Sequence, residues 1–242
     1  CAFLTYFMGR KIVSRAYGVV SSLILATSLE FVILAKFAIL DIVVATCVWF
    51  SVAFGMLTCF CEEKNKKYFW WLFYFFSGLA VMAKGIPGFV IPFGSMFFIS
   101  IANKNFKEIF KPQYFLVGFV IFFAVTLPWH IVMLKIHDPL FFNEYIIKHH
   151  IERFLGAPEI GRVQPFYFYF LTILWGFFPW ILSCLVVLVR KIMLKDFNFK
   201  ELNNIRKFLL FNGIVAILTI LFFSSSKTKL ITYILPIYPA LA

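Results

Sequence analysis

The chain has 242 residues, of which 62% are hydrophobic and 35 are phenylalanine, and its mean hydropathy is +0.92. A water-soluble protein cannot cover so much apolar surface, so the composition excludes a soluble fold and indicates a membrane protein. A formal net charge of +12 is also typical of nucleic-acid-binding proteins. The basic residues here are instead divided among short gaps between apolar runs, without a continuous basic stripe, so we expect no nucleic-acid partner.

The apolar runs predict an all-α fold, a polytopic transmembrane helical bundle with about seven full spanning helices and two partial ones. Most runs approach the ~20 residues that cross a hydrocarbon core of ~30 Å. Their length and near-continuity exclude the alternating strands of a membrane barrel. The predicted spans are 17–35, 38–61, 68–83, 86–102, 112–129, 165–189 and 208–223, and the partial helices are 1–9 and 230–242.

The lysines and arginines predict the orientation of this bundle. All 23 lie in the gaps between apolar runs, and alternate gaps hold 15 and 8 of them. Short loops rich in Lys and Arg stay in the cytoplasm, so the richer set is predicted to be cytoplasmic. That set is 10–15, 62–67, 103–111 and 190–207, and the external set is 36, 84, 129–165 and 227–229.

Both ends of the chain lie inside apolar runs. The first residue is Cys1 rather than methionine, and the run that begins near Leu230 continues to Ala242. We therefore expect an internal piece of a longer polypeptide.

The long external segment 129–165 mixes charged and histidine side chains with aromatic ones. Such a mixture is typical of a partly helical segment at the level of the lipid headgroups, and a solvated amphipathic loop is the simpler interpretation. Its neighbouring His149 and His150 would point about 100° apart on a helix, and adjacent histidines seldom bind one ion. We expect no essential metal and no cofactor.

Two external positions carry single charges near predicted helix ends. Asp41 lies near the external start of the span 38–61, where a carboxylate has to be solvated, paired or at a cavity. A pair with Lys36 explains it as well as a functional role does. Lys84 is the only charge between the spans 68–83 and 86–102, and its glycine and proline neighbours predict a tight turn. A lysine that snorkels to water is the alternative.

The segment SSSKTKLITYILP (224–236) supplies many hydrogen-bond donors and few negative charges. Serial donors at a desolvated interface favour an anion, and phosphate is the attractive candidate. Arg153, from the external segment, could add a bidentate guanidinium.

Five stretches carry a resemblance to a known family. They are ATSLEFVILAKFAILDIVVA (26–45), GLAVMAKGIPGFVIP (78–92), LPWHIVMLKIHDPLFFNEYIIKHHIERF (127–154), LWGFFPW (174–180) and SSSKTKLITYILPIYPALA (224–242). In this order they resemble the membrane glycosyltransferases of the GT-C class. More narrowly, they are similar to the bacterial family of 4-amino-4-deoxy-L-arabinose transferases and dolichyl-phosphate-mannose protein mannosyltransferase-like proteins.

The resemblance implies a multi-pass enzyme of the bacterial inner membrane that moves a sugar from a polyprenyl-phosphate carrier to an acceptor such as lipid A on the external, periplasmic face. The implied partners are the lipid-linked sugar donor, a lipid or protein acceptor and membrane lipids. The positions that match the family's phosphate-binding cluster are Arg153, Lys229 and Tyr233. Asp41 matches an acidic position near the active cavity and is the catalytic candidate, and Lys84 matches the family's KG turn and is a candidate substrate-binding residue.

The chain departs from the family pattern at two places. Ile231 stands where proline is common, which is expected to relax the helix start without removing a polar group. The family's principal acidic residues lie in an external loop that precedes this stretch, so residues 1–242 are expected to form an incomplete transmembrane module, inactive alone, with the external loop 129–165 within it.

Two other functions compete with the transferase. Prolines near helix ends predict kinks and broken helices, which also occur in transporters, so a lipid-linked-sugar flippase or a secondary transporter is one alternative. A non-catalytic membrane scaffold is the other. The singled-out charges lie near the predicted external boundary, not in the middle of the bilayer, and this favours the transferase.

Overall fold

A computed structural model describes residues 1–137, 163–194 and 204–242, and these ranges are helical, joined by short turns. Backbone pairing of the β type within them is limited to an isolated antiparallel bridge between Val163 and Thr228. The predicted all-α class is therefore confirmed. The helices are α1 (Ala2–Ile12), α2 (Arg15–Thr27), α3 (Leu29–Lys36), α4 (Leu40–Leu57), α5 (Glu63–Lys84), α6 (Ile86–Ala102), α7 (Phe106–Ile109), α8 (Pro112–His137), α9 (Phe168–Gly176), α10 (Trp180–Leu194), α11 (Asn204–Ser225) and α12 (Tyr238–Leu241), with a 3-10 helix at Ile231–Ile237.

Three helices of the described ranges, α4, α8 and α11, are long and apolar enough to cross a membrane. Two further candidates are bent pairs, α2 with α3 at 62° and α9 with the first part of α10 at 107°. By length and composition, these ranges thus hold three candidate spans, or five if each bent pair counts as one. The predicted count of seven full spans is not confirmed.

Two predicted spans are broken rather than straight. The span 17–35 is interrupted at Ser28, whose backbone is extended with ψ 125° and whose hydroxyl bonds to the Ile24 carbonyl at 2.7 Å. The span 165–189 is interrupted after Gly176, shortly before Pro179, which has no N–H for a continuing helix. Both breaks lie inside apolar sequence, which is why hydropathy alone did not reveal them.

The start of the predicted external segment is also different. Helix α8 continues through Pro128 to His137, so the positions 129–137 are helical. Membrane helices accommodate an internal proline when neighbouring groups compensate for the missing hydrogen bond.

The turn between α5 and α6 depends on two glycines. Gly85 ends α5 with φ 72°, in the left-handed region that side chains disfavour. A Cβ atom at Gly88 would lie 2.3 Å from the carbonyl carbon of Ala80 and 2.4 Å from the amide nitrogen of Val81. The two helices therefore approach each other backbone to backbone, and this approach holds Lys84 at the end of α5.

Aromatic side chains fill the interfaces of α5, α6 and α8. Phe93 of α6 lies with its ring centroid 5.0 Å from that of Phe73, 5.4 Å from that of Tyr74 and 5.8 Å from that of Phe122. A Cβ atom at Gly118 would lie 2.2 Å from the Tyr74 ring. Edge-to-face ring pairs stabilise such packing beyond the area that they bury.

The end of α5 that is predicted to face the cytoplasm carries a network of charges. Glu63 pairs with Lys66 at 2.8 Å and with Lys111 at 3.0 Å, and it accepts a hydrogen bond from Tyr114 at 3.1 Å. Lys66 also pairs with Glu108 at 2.9 Å. The hydrogen bonds from Lys66 and Lys111 lower the pKa of Glu63 to about 2. The carboxylate therefore stays ionised at physiological pH and ties α5 to the start of α8.

Candidate functional site

Helices α4 and α5 bring a carboxylate and an ammonium together. Asp41 lies in the first turn of α4, Lys84 is the last residue of α5, and the two helices pack against each other. The Lys84 ammonium donates to the Asp41 carboxylate, and the side chains are only 23% and 18% exposed. Of the two explanations left open for Asp41, the pair with Lys36 is thus replaced by a pair with Lys84.

The 3-10 helix adds a tyrosine to this pair. The Lys84 ammonium nitrogen lies 3.7 Å from the centroid of the Tyr233 ring. A cation over the face of an aromatic ring is attracted by the ring's negative face. The structure thus joins three of the predicted site residues, from three separate parts of the chain, in one cluster, which we call the Asp41–Lys84–Tyr233 cluster.

The backbone around Tyr233 is held by a second tyrosine. The Tyr233 N–H donates to the Leu230 carbonyl at 3.1 Å, and the Tyr169 hydroxyl donates to the same carbonyl at 3.2 Å. The Phe223 ring lies 6.3 Å from the Tyr169 ring and 5.7 Å from the Tyr233 ring. Tyr169 is fully buried. Sequence reasoning missed it because it lies in an aromatic run with no polar pattern.

Lys229 makes contacts that its sequence neighbourhood did not reveal. Its side chain is 4% exposed, and its ammonium donates to the Gln164 carbonyl at 3.0 Å and to the Ser226 carbonyl. Burial lowers the pKa of this ammonium. An ammonium has three N–H donors, so at most one remains for an anion. The Gln164 N–H also donates to the Lys227 carbonyl at 3.2 Å. These hydrogen bonds hold residues 163–165 against the loop after α11.

Other predicted residues lie outside the described ranges. These residues are Arg153, His149 and His150, and their predicted roles stay predictions. In the parts of the chain that the structure describes, no group of three or more His, Cys, Asp or Glu residues is placed to hold a metal ion.

A buried carboxylate was also missed. Glu30 is 0% exposed and accepts a hydrogen bond from the hydroxyl of Tyr238. Its signal was present in the sequence, because a lone acidic residue inside an apolar run, between Leu29 and Phe31, is uncommon in a membrane helix.

Replacing Ile231 with proline, the residue common in the family, is expected to be tolerated. Leu230 has φ −121° and ψ 146°, which is the conformation that a following proline favours. Thermal unfolding of the full-length protein should show a stability that is unchanged or raised by roughly 0.4–1 kcal/mol. Tyr233→Pro is the control: it removes an N–H that donates to Leu230 and should destabilise. A clear loss of stability in Ile231→Pro would contradict this interpretation.

The fold and the cluster together define a multi-pass helical membrane protein with a polar site where helix ends meet. The family model described as dolichyl-phosphate-mannose-protein mannosyltransferase matches residues 1–142, which is more than half of the chain. The chain belongs to this family. The resemblance drawn from the sequence is confirmed.

Individual relatives are similar along much of the chain. An uncharacterised protein of Aquifex aeolicus is 30% identical over 240 residues, covering 99% of this chain and 44% of that protein. An undecaprenyl phosphate-alpha-4-amino-4-deoxy-L-arabinose arabinosyl transferase of Enterobacter sp. is 30% identical over 167 residues, covering 68% of this chain and 28% of the relative. The chain therefore spans less than half the length of these curated relatives.

A solved structure has the same fold. The crystal structure of ArnT from Cupriavidus metallidurans bound to undecaprenyl phosphate superimposes with a TM-score of 0.80 at 21% sequence identity. The match covers 99% of this chain and 42% of that one. At this identity the likeness shows the shared fold of the helical module.

Proposed function

We propose that the complete protein is a glycosyltransferase that moves a sugar from a polyprenyl-phosphate carrier to an acceptor such as lipid A, at the periplasmic face of the bacterial inner membrane. The observation that carries this proposal is the Asp41–Lys84–Tyr233 cluster, which draws on three distant parts of the chain. Family membership supports it, as does the predicted external position of all three residues.

The charges of the cluster suit the chemistry of sugar transfer. Breaking the bond between sugar and phosphate builds positive charge on the anomeric carbon and negative charge on the departing lipid phosphate, so cations at that phosphate stabilise the leaving group. Lys84 supplies an ammonium held in place by a carboxylate and a ring face. Tyr233 supplies a hydroxyl donor, Arg153 a guanidinium and Lys229 its remaining N–H.

We assign to Asp41 the role of orienting the Lys84 ammonium and the sugar. One of its carboxylate oxygens accepts from Lys84, which suits a group that places the ammonium and the sugar better than one that attacks carbon. If the acceptor is a lipid phosphate, it is already ionised and needs little help from a base. A protein hydroxyl acceptor would need a general base in addition.

Removing the phosphate donors is expected to weaken binding of the lipid-linked donor. In the full-length protein, Tyr233→Phe and Arg153→Ala should each reduce donor affinity on the order of tenfold, because each loses a hydrogen bond to a charged oxygen. Lys229→Ala should have a smaller effect on affinity and a larger one on stability, since its carbonyl contacts hold a loop. Tyr68→Phe, at an exposed tyrosine of α5 near the opposite helix end, is the matched control.

Unchanged affinity and turnover in Tyr233→Phe and Arg153→Ala would remove these residues from the mechanism. A mass shift of lipid A on expression of the complete protein would identify the acceptor. Movement of the lipid-linked sugar between leaflets without transfer would favour a flippase instead.

A further inference from the structure

The two helix breaks lie against each other. The N–H of Leu29, at the start of α3, donates to the Phe178 carbonyl at 3.1 Å. The indole N–H of Trp180, at the start of α10, donates to the Thr27 hydroxyl at 2.8 Å. One backbone hydrogen bond and one side-chain hydrogen bond thus connect the two breaks, and the two bends form one junction.

Glu30 lies inside this junction. One of its carboxylate oxygens accepts from the Tyr238 hydroxyl, and the other is buried without a hydrogen-bond partner among the described residues. A Cβ atom at Gly176 would lie 2.2 Å from the Tyr238 hydroxyl oxygen and 2.3 Å from the Glu30 carboxylate. The Tyr238 ring packs 6.3 Å from Phe31 and 6.1 Å from Phe177. The absence of a side chain at Gly176 therefore leaves just enough room for the hydrogen bond between Tyr238 and Glu30.

Burial of the Glu30 carboxylate costs stability, so a contribution to stability does not explain why it is there. A buried polar oxygen without a partner is destabilising, and apolar side chains of similar size often replace buried charged groups without loss of stability. A leucine at position 30 would fill the same space. What a leucine could not do is fix the hydroxyl of Tyr238.

Tyr238 follows directly after the 3-10 helix Ile231–Ile237, which carries Tyr233. Runs of 3-10 helix longer than three or four residues are uncommon, because their hydrogen bonds are poorly aligned, so seven residues need support from outside. The Tyr169 hydroxyl holds the start of this helix through Leu230, and the Tyr238–Glu30 bond holds its end. Helix α9, which carries Tyr169, packs against both α3 and the 3-10 helix, so the junction and the cluster are neighbours.

We propose that Glu30 is a positioning residue for sugar transfer: through Tyr238 it holds the end of the 3-10 helix, and so keeps Tyr233 against the Lys84 ammonium. This inference rests on the proposed transferase function. Glu30 itself touches neither the donor nor the acceptor.

Steady-state turnover of the full-length protein tests the inference. Glu30→Leu keeps the volume but removes the acceptor, and we expect turnover to fall on the order of tenfold, with thermal stability equal or higher. Glu30→Gln keeps an oxygen at the same distance and should retain turnover within about threefold of wild type. Because Glu30 acts through the position of the Tyr233 side chain, Glu30→Leu should cause little further loss in a Tyr233→Ala background, where neither the ring nor the hydroxyl remains to be positioned.

Two results would overturn the inference: losses that multiply in the Glu30→Leu/Tyr233→Ala double variant, or a Glu30→Gln variant as impaired as Glu30→Leu. If Glu30→Leu does not fold, Tyr238→Phe, which removes the same hydrogen bond from the other side, takes its place in the cycle. The single variant Tyr233→Phe distinguishes a failure of this inference from a failure of the proposed function. If it lowers turnover while the cycle fails, only the role of Glu30 is lost, and if it leaves turnover unchanged, the proposed site is wrong.

Discussion

Replacing Lys84 with methionine in the full-length protein is expected to reduce sugar transfer by on the order of a hundredfold to a thousandfold. The substitution removes the ammonium that lies between the Asp41 carboxylate and the Tyr233 ring. It also leaves a largely buried carboxylate without its cation, which is costly in a membrane protein. Initial rates with a lipid-linked sugar donor, compared with the melting temperature of each variant, measure both effects.

Three variants make this result interpretable. Lys64→Met removes an exposed lysine at the other end of the same helix and should leave transfer unchanged. Lys84→Arg keeps the charge but replaces a compact ammonium by a planar fork, so partial activity is expected. Asp41→Asn combined with Lys84→Met should be more stable than Lys84→Met alone, because the stranded charge is gone. Full transfer by Lys84→Met would mean that this lysine takes no part in sugar transfer.

Gly88→Ala is expected to destabilise the protein by roughly 3 kcal/mol or more, or to prevent its accumulation. The added methyl group would meet the backbone of α5 at 2.3 Å, and backbone atoms cannot rotate away as a side chain can. Helices α5 and α6 would have to separate, and the turn that holds Lys84 would open. Yield in the membrane fraction and thermal unfolding in detergent measure the effect.

Gly213→Ala is the matched control for this substitution. Gly213 also lies within a helix, but a Cβ atom there would meet nothing within 4 Å. Alanine has the higher helix propensity, so we expect no loss and a gain of up to about 1 kcal/mol. Equal stability of the Gly88→Ala and Gly213→Ala variants would contradict the close approach of α5 and α6.

The sequence was sufficient for the all-helical membrane fold and for the turn at Gly85, because hydropathy and glycine–proline pairs report on local structure. It singled out Asp41 and Lys84 separately. Their pairing was not predictable, since the two residues are 43 positions apart and Lys36 was the nearer cation. For Lys229 the sequence showed a donor but not its partners. It could not show that backbone carbonyl groups already accept two hydrogen bonds from the ammonium.

The broken helices account for part of the difference between the seven predicted spans and the candidate spans of the described ranges. The predicted spans 68–83 and 86–102 account for the rest, because they correspond to α5, which begins with charged residues, and to α6, which has 17 residues. A run of apolar residues shows that a segment prefers lipid, and says little about whether its axis is straight. The bend at Ser28 is supported by tertiary contacts, because the Leu29 N–H donates to the Phe178 carbonyl and the Trp180 indole donates to the Thr27 hydroxyl. At the second break the signal was Pro179, although Pro128 inside the continuous α8 shows that proline alone does not decide.

The carbonyl contacts of Lys229 have a mechanical consequence. They fasten residues 163–165 to residues 226–229, the loop that leads into the 3-10 helix with Tyr233. A displacement of residues 163–165 is therefore expected to be transmitted through the Lys229 ammonium to the start of the 3-10 helix.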